Sequence, residues 1–253
     1  MNNIIALDTS TEACSVALQC NGEAIFRYRV EPRMHAKLLL PMLNELLDEA
    51  GISTQQIDAV AFGRGPGAFT GVRIGTAAAQ AIALGGDLPV APVSTLASIA
   101  HRSYREHGKQ KVAVAIDARM GEVYWGAYEI TASASVTQLG DERVCLPAEA
   151  DRLDSDWCAS GTGWGTYESV LTQVTGATIA EDVDPFPHAL DILLIGSEQL
   201  VRGEGVTPEN ALPVYLRDNV ALTEKERAEK EQAEKERAEK ERAESARAAK
   251  RAG

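Results

Sequence analysis

Two rhythms of apolar and polar positions alternate along this chain. The first thirty residues read as a three-stranded meander. "NIIALD" (3–8) is a nearly continuous apolar run and "CSVALQC" (14–20) is a second. The Asn21-Gly22 pair that follows is a two-residue hairpin signal, leading into "EAIFRYRV" (23–30). The loop between the first two strands, "DTSTEA", is polar and rich in hydroxyls. From about Ala36 to Ala50 the period changes to that of a helix, with Pro41 tolerated in the first turn or kinking it. Its apolar arc covers roughly 200°, against the roughly 100° or more that a surface helix buries. One face on its own sheet would not use all of that arc. The pattern therefore predicts a further partner, with Leu38, Leu39, Met42 and Leu46 as contact residues.

Further on, "IDAVAFG" is a strand that ends in a glycine loop, and Thr70 is the expected N-cap of a helix from Gly71 to about Leu84. "LPVAPVS" is another strand and "TLASIAHRSYREHG" another helix, closed by Gly108. A fresh strand, "KVAVAID", opens a second half, and "EVYWGAYEI" returns as its hairpin partner. "WCASGTGWG" reads as a glycine turn and "LDILLIGSEQLV" as a helix. The alternation predicts an α/β protein of two lobes, residues 1–107 and 108–220. The segment 221–253 is different in kind. It repeats with a five-residue period and places Glu226–Lys230, Glu231–Lys235 and Glu236–Lys240 in the favourable order. Lacking large apolar residues after Leu222, it predicts a solvated helical or disordered tail.

Charge narrows the function. The net charge is −12, and the residues before the tail hold 28 acidic against 15 basic side chains. Such a body disfavours autonomous binding of nucleic acid. Cys14, Cys20, Cys145 and Cys158 show no CxxC spacing and do not cluster with histidine, so reduced thiols are expected and a zinc site is not. The N-terminus has no basic, signal-like segment and no apolar run is long enough to span a bilayer, so a cytoplasmic location with no membrane role is expected.

The stretch "AFGRGPGAFTGVRIG" (61–75) is the strongest local signal. It is not a Walker loop, because no lysine follows to reach terminal phosphates. A dinucleotide fingerprint also fails: Pro66 removes an N–H, and Asp87 precedes the next strand where the ribose-binding acid should end it. The loop can instead serve as a tight turn that lets a helix approach closely. Gly71, Gly75, Ala79 and Ala83 form an i, i+4 stripe of small residues, which predicts close contact with another helix. The four histidines are scattered, and no nucleophile–base grouping is apparent.

Taken in order, "ALDTSTEACSVAL", "GRGPGAFTGVRIG", "PVSTLASIA", "AIDARMGEVYWGAYE" and "LPVYLRD" resemble the TsaB family, also called YeaZ, over about residues 2 to 220. The resemblance implies an actin/Hsp70/sugar-kinase-like (ASKHA) fold of two related lobes. It also implies a role in forming threonylcarbamoyladenosine at the adenosine after the anticodon of ANN-decoding tRNAs. In that pathway the transferase is the paralogue TsaD, which carries a V-N-H-x-E-G-H metal motif. Here Thr95 and Ile99 stand where its two histidines would be, and Ile99 has no ligand atom, so no metal site and no catalytic residues are expected. The family implies a homodimer when alone, a heterodimer with TsaD through the two helices above, and the ATPase TsaE in the larger complex. Contact with tRNA would fall mainly to those partners. No cofactor of its own is implied; ATP or ADP would sit at the complex interface, near Gly65 and Gly67.

Two other classes compete with a non-catalytic subunit. An autonomous ATPase or small-molecule kinase of the same superfold would use Asp8, Thr9 and Ser10 across a cleft from Gly161 and Gly163. For Asp8 the plainer alternative is a self-capping turn residue. A glycoprotease-like peptidase is the other, opposed by the missing histidine pair.

Overall fold

The computed structural model describes residues 2–133, 135–154, 156–179 and 184–217. Among the described residues, two five-stranded sheets share one wiring plan. In the first, β1 (Ile4–Asp8), β2 (Ala13–Cys20) and β3 (Glu23–Val30) form an antiparallel meander. The strands β4 (Ala59–Gly63) and β5 (Val90–Val93) then add parallel to β1, giving the order β3-β2-β1-β4-β5. In the second, β6 (Lys111–Arg119), β7 (Glu122–Ile130) and β8 (Val136–Cys145) repeat the meander, and β9 (Cys158–Ser160) and β10 (Thr178–Ile179) repeat the parallel addition. The β2–β3 turn has Asn21 and Gly22 both at positive φ, as its sequence requires.

Among the described residues, five α-helices fill the layers. They are α1 (His35–Ala50), α2 (Phe69–Leu84), α3 (Thr95–His107), α4 (Thr162–Thr175) and α5 (Ala189–Val201). One core lies under α1 and α2, on the outer face of the first sheet. A second packs α3 and α5 between the inner faces of both sheets, and a third joins α4 to the outer face of the second sheet. With helices on both faces of the first sheet, β1, β4 and β5 read as nearly continuous apolar runs.

One sequence expectation changes here. Thr70 is not an N-cap: α2 begins at Phe69, with Ala68 as its cap residue, because the turn is held by an Ala68 N–H to Ser10 carbonyl bond of 2.7 Å. Residues 1–216 form one compact unit, and α5, although it belongs to the second half in sequence, packs on the first sheet, where Gly196 sits against Ala61 and Ala91. The following segment stays there, with Val206 bridging to Val90 and the Val214 N–H donating to the Arg64 carbonyl at 2.8 Å. The two halves exchange a helix because each sheet's inner face needs apolar cover. The charged tail, 221–253, lies outside the described residues.

Candidate functional site

The glycine loop and the β1–β2 loop are built against each other. Asp8 ends β1 and is buried; Ser10 donates to its Oδ1 from both N–H and hydroxyl at 2.9 Å. Burial pushes the Asp8 carboxyl up from 3.8 to about 6, opposed by those two bonds. Thr9 donates its hydroxyl to the Gly71 carbonyl at 2.7 Å, and Thr95 donates to the Ser10 hydroxyl at 3.1 Å. A Cβ at Gly67 would run into the Ser10 carbonyl oxygen, and one at Gly71 into that of Thr9. The space these glycines open is thus filled by the chain's own hydroxyl-rich loop. Gly65, at positive φ, is likewise covered by the Val214 carbonyl. The close-packing interpretation of this loop accounts for its composition.

The small-residue stripe and the broad apolar arc face inward, against expectation. Gly71, Gly75, Ala79 and Ala83 are buried, with Ala79 and Ala83 in the same core as Leu39, Met42 and Leu46; Leu38 packs at its margin. The stripe lets α2 descend onto β1 and β4. The width of the α1 arc is absorbed because this helix lies against the sheet on one side and α2 on another. The fully buried residues of this set face the chain's own core, and Leu38 stays half-buried at its edge. What α1 and α2 show outward is different: Leu40 on α1, and Phe69, Arg73, Ala77, Ala81 and Leu84 on α2. Arg73 stacks over the Phe69 ring at 3.7 Å and donates from Nε to the Tyr215 hydroxyl at 2.8 Å. The one trace of this group in the sequence is the spacing of Phe69 and Arg73, one helical turn apart.

In the second half, Gly161 (φ 103°) and Gly163 press against the Ala115 carbonyl, and Thr162 accepts from the Asp117 N–H at 3.1 Å. A cavity of about 410 Å³ beside them is lined by residues 159–162, 164–166 and 168, with Ile179 and Pro185, all from the second half. It does not reach Asp8, Thr9 or Ser10, which are occupied with the glycine loop.

Thr95 and Ile99 are both fully buried at the start of α3, one bonded to Ser10 and the other in the inter-sheet core. A hydroxyl in use and a hydrocarbon do not make a transition-metal donor pair. Among the described residues, no three His, Cys, Asp or Glu side chains stand close enough to hold a metal ion.

Two of the four histidines read as scattered, His101 and His188, are drawn together around Asp191 at the contact of α3 with α5. His101 Nδ1 lies 2.5 Å from Asp191 Oδ1, and Arg105 donates to both Asp191 oxygens at 2.9 and 2.8 Å. Burial opposes ionisation of Asp191, yet the bonds from His101 and Arg105 hold its carboxyl below the usual range. His188 caps α5 by accepting from the Leu190 N–H at 3.0 Å and stacks on Tyr28. Burial pushes its imidazole down to about 4, so it stays a neutral acceptor. Arg102 bonds the Tyr28 hydroxyl at 3.2 Å and the Phe186 carbonyl at 3.1 Å. This network fastens α5 to α3, and no sequence spacing announces it.

Known proteins show where such a molecule belongs. The profile of the family described as "TsaD: tRNA N6-adenosine threonylcarbamoyltransferase" matches residues 29–225. The tRNA threonylcarbamoyladenosine biosynthesis protein TsaB of Escherichia coli is 41% identical over 222 residues, covering 86% of this chain and 96% of that protein. Its Haemophilus influenzae counterpart is 39% identical, covering 86% and 94%. Among solved structures, YeaZ from Pseudomonas aeruginosa superimposes with a TM-score of 0.78 at 49% identity, over 85% of this chain and all of that one. With the paired meanders, the exchanged helix and the departure at Thr95 and Ile99 in place, these likenesses show that the chain belongs to the TsaB (YeaZ) family, on an ASKHA-like fold.

Proposed function

We propose that this chain acts in the biosynthesis of tRNA threonylcarbamoyladenosine as a non-catalytic subunit that binds and activates TsaD. The observation that carries this reading is the pair Thr95 and Ile99. Both positions are buried and committed to packing, so this chain has no donor set for the metal chemistry that the resemblance assigns to TsaD. The negative body agrees with leaving the tRNA to partners, and the outward row Leu40, Phe69, Ala77, Ala81 and Leu84 is the surface we assign to TsaD or to a second copy. TsaE joins as the ATPase, and any ATP or ADP is held by the assembly. This reading also places the protein in the cytoplasm.

The test is a reconstituted modification assay with TsaD, TsaE and tRNA. Omitting this chain should abolish or strongly reduce modification, and this chain without TsaD should give none, with or without added divalent metal. Modified tRNA formed in the absence of TsaD would overturn the proposal.

A further inference from the structure

The outward face of α2 carries a single charge. Arg73 is the only ionisable side chain in Phe69–Leu84, and it is exposed along with Phe69, Ala77, Ala81 and Leu84. It is also held still. The guanidinium carbon lies 3.7 Å from the centroid of the Phe69 ring and 5.7 Å from that of Tyr215, while Nε donates to the Tyr215 hydroxyl at 2.8 Å. Both rings remain about half exposed. Aromatic contacts and a hydrogen bond remove rotamer freedom that an exposed arginine otherwise loses only on binding. They occupy Nε but not the far end of the guanidinium. Among the described residues, neither terminal NH2 group has a hydrogen bond or ion pair.

A planar pair of NH2 groups fits two coplanar oxygens, those of a carboxylate or a phosphate. The rest of the molecule decides between sources. Before the tail the chain holds 28 acidic against 15 basic side chains, which repels a phosphate backbone. A second copy is an equally poor source. Its α2 has no acidic residue, Glu45 and Glu49 of its α1 are already bound to Arg27, and two acidic bodies repel each other. An acidic side chain of a different protein meets neither obstacle. Set in an apolar row, the pair would be sheltered from water by the contacts around it.

We propose that Arg73, clamped by Phe69 and Tyr215, receives an Asp or Glu side chain of the partner protein end-on through its two NH2 groups, and so fixes where along the apolar row that partner sits. This rests on TsaD being the occupant of the row. It adds the chemistry that TsaD must bring, a carboxylate.

Calorimetric titration of the full-length chain with TsaD from the same organism, at about 50 and about 300 mM NaCl, reads the pair. Arg73→Met keeps the packing and loses the charge. It should weaken binding about thirtyfold at the lower salt and flatten the salt dependence. Arg73→Lys keeps the charge without the fork and should stay about tenfold weaker than the wild type. Tyr215→Phe keeps the ring but frees Nε, and should cost about threefold. All three should match the wild type in circular dichroism and melting point, because both positions are exposed; should one fail to fold, the other two decide. Binding by Arg73→Met within about twofold of the wild type, while Ala77→Glu abolishes it, would overturn the clamp and leave TsaD on the row. Arg73→Lys equal to the wild type would overturn the end-on fork. No binding by the wild type, or full binding by Ala77→Glu, would remove TsaD from the row and the clamp with it. Self-association that falls with Arg73→Met or Asp48→Asn while TsaD binding holds would give Arg73 to a second copy. Weakened tRNA binding by the assembled complex, with TsaD binding intact, would give it to a phosphate. Either result overturns the proposal.

Discussion

Replacing Asp8 by Asn tests whether the β1–β2 loop confines a carboxyl as tightly as its geometry indicates. The side chain is buried, and its pKa is raised from 3.8 to about 6 by that burial against the two Ser10 bonds. A raised native pKa means that the folded chain holds the proton more tightly than the unfolded one. Stability from this group is therefore fully present below about pH 4, falls as pH rises to about 6, and stays reduced above that. Two pKa units correspond to about 3 kcal/mol at neutral pH. Asparagine cannot ionise, and its Oδ1 can accept both Ser10 bonds. The variant should gain on the wild type by about 2 kcal/mol between about pH 4.5 and about pH 7.5, whatever their offset at the lower pH. Asp58, Asp151 and Asp191, whose carboxyls are held below the usual range, have the opposite dependence, but they are common to both chains and cancel in the difference. Urea unfolding followed by circular dichroism measures it. A difference constant to within about 0.5 kcal/mol across that range would refute the reasoning, since an Asp8 with an ordinary pKa contributes no such slope.

Three further outcomes follow from the packing. Gly71→Ala drives a methyl into the Thr9 carbonyl and should cost about 3 kcal/mol, whereas Gly108→Ala, which meets no neighbour but sits at positive φ, should cost about 1 kcal/mol; equal melting points for the two would contradict the close-approach account. Asp191→Asn weakens the anchorage of Arg105 and His101 and should cost about 3 kcal/mol at pH 7. That deficit should shrink in acid, because the stability Asp191 contributes is present above the ordinary carboxylate pKa and is lost as pH falls through its lowered one; a pH-independent deficit would argue against the pairing. Ala79→Glu should unfold the chain, whereas Ala77→Glu should keep a wild-type circular dichroism spectrum and fail to co-elute with TsaD; a folded Ala79→Glu variant would return the small-residue stripe to the interface.

The sequence by itself determined the local elements. Alternation and turn residues placed β1 to β7, α1, α3 and α5 to within a few residues, because hydrophobic period and residues such as Asn21-Gly22 and Gly108 act over short range. It also showed that Thr95 and Ile99 cannot act as a metal pair, since that depends on residue type alone. The strand β8 was missed because its polar, half-exposed run "VTQLGDERVC" has little apolar signal, and α4 because its glycines read as a turn. Tertiary structure alone decided which way a face points. A stripe of small residues permits close approach to any neighbour, and here the neighbours of Gly71 and Gly75 are the chain's own Thr9 and Leu7. The same holds for the network of His101, Arg105 and Asp191, whose members lie about ninety residues apart and meet because α5 crosses to the first sheet. Period records how much apolar surface a segment must bury; only the folded chain settles what buries it.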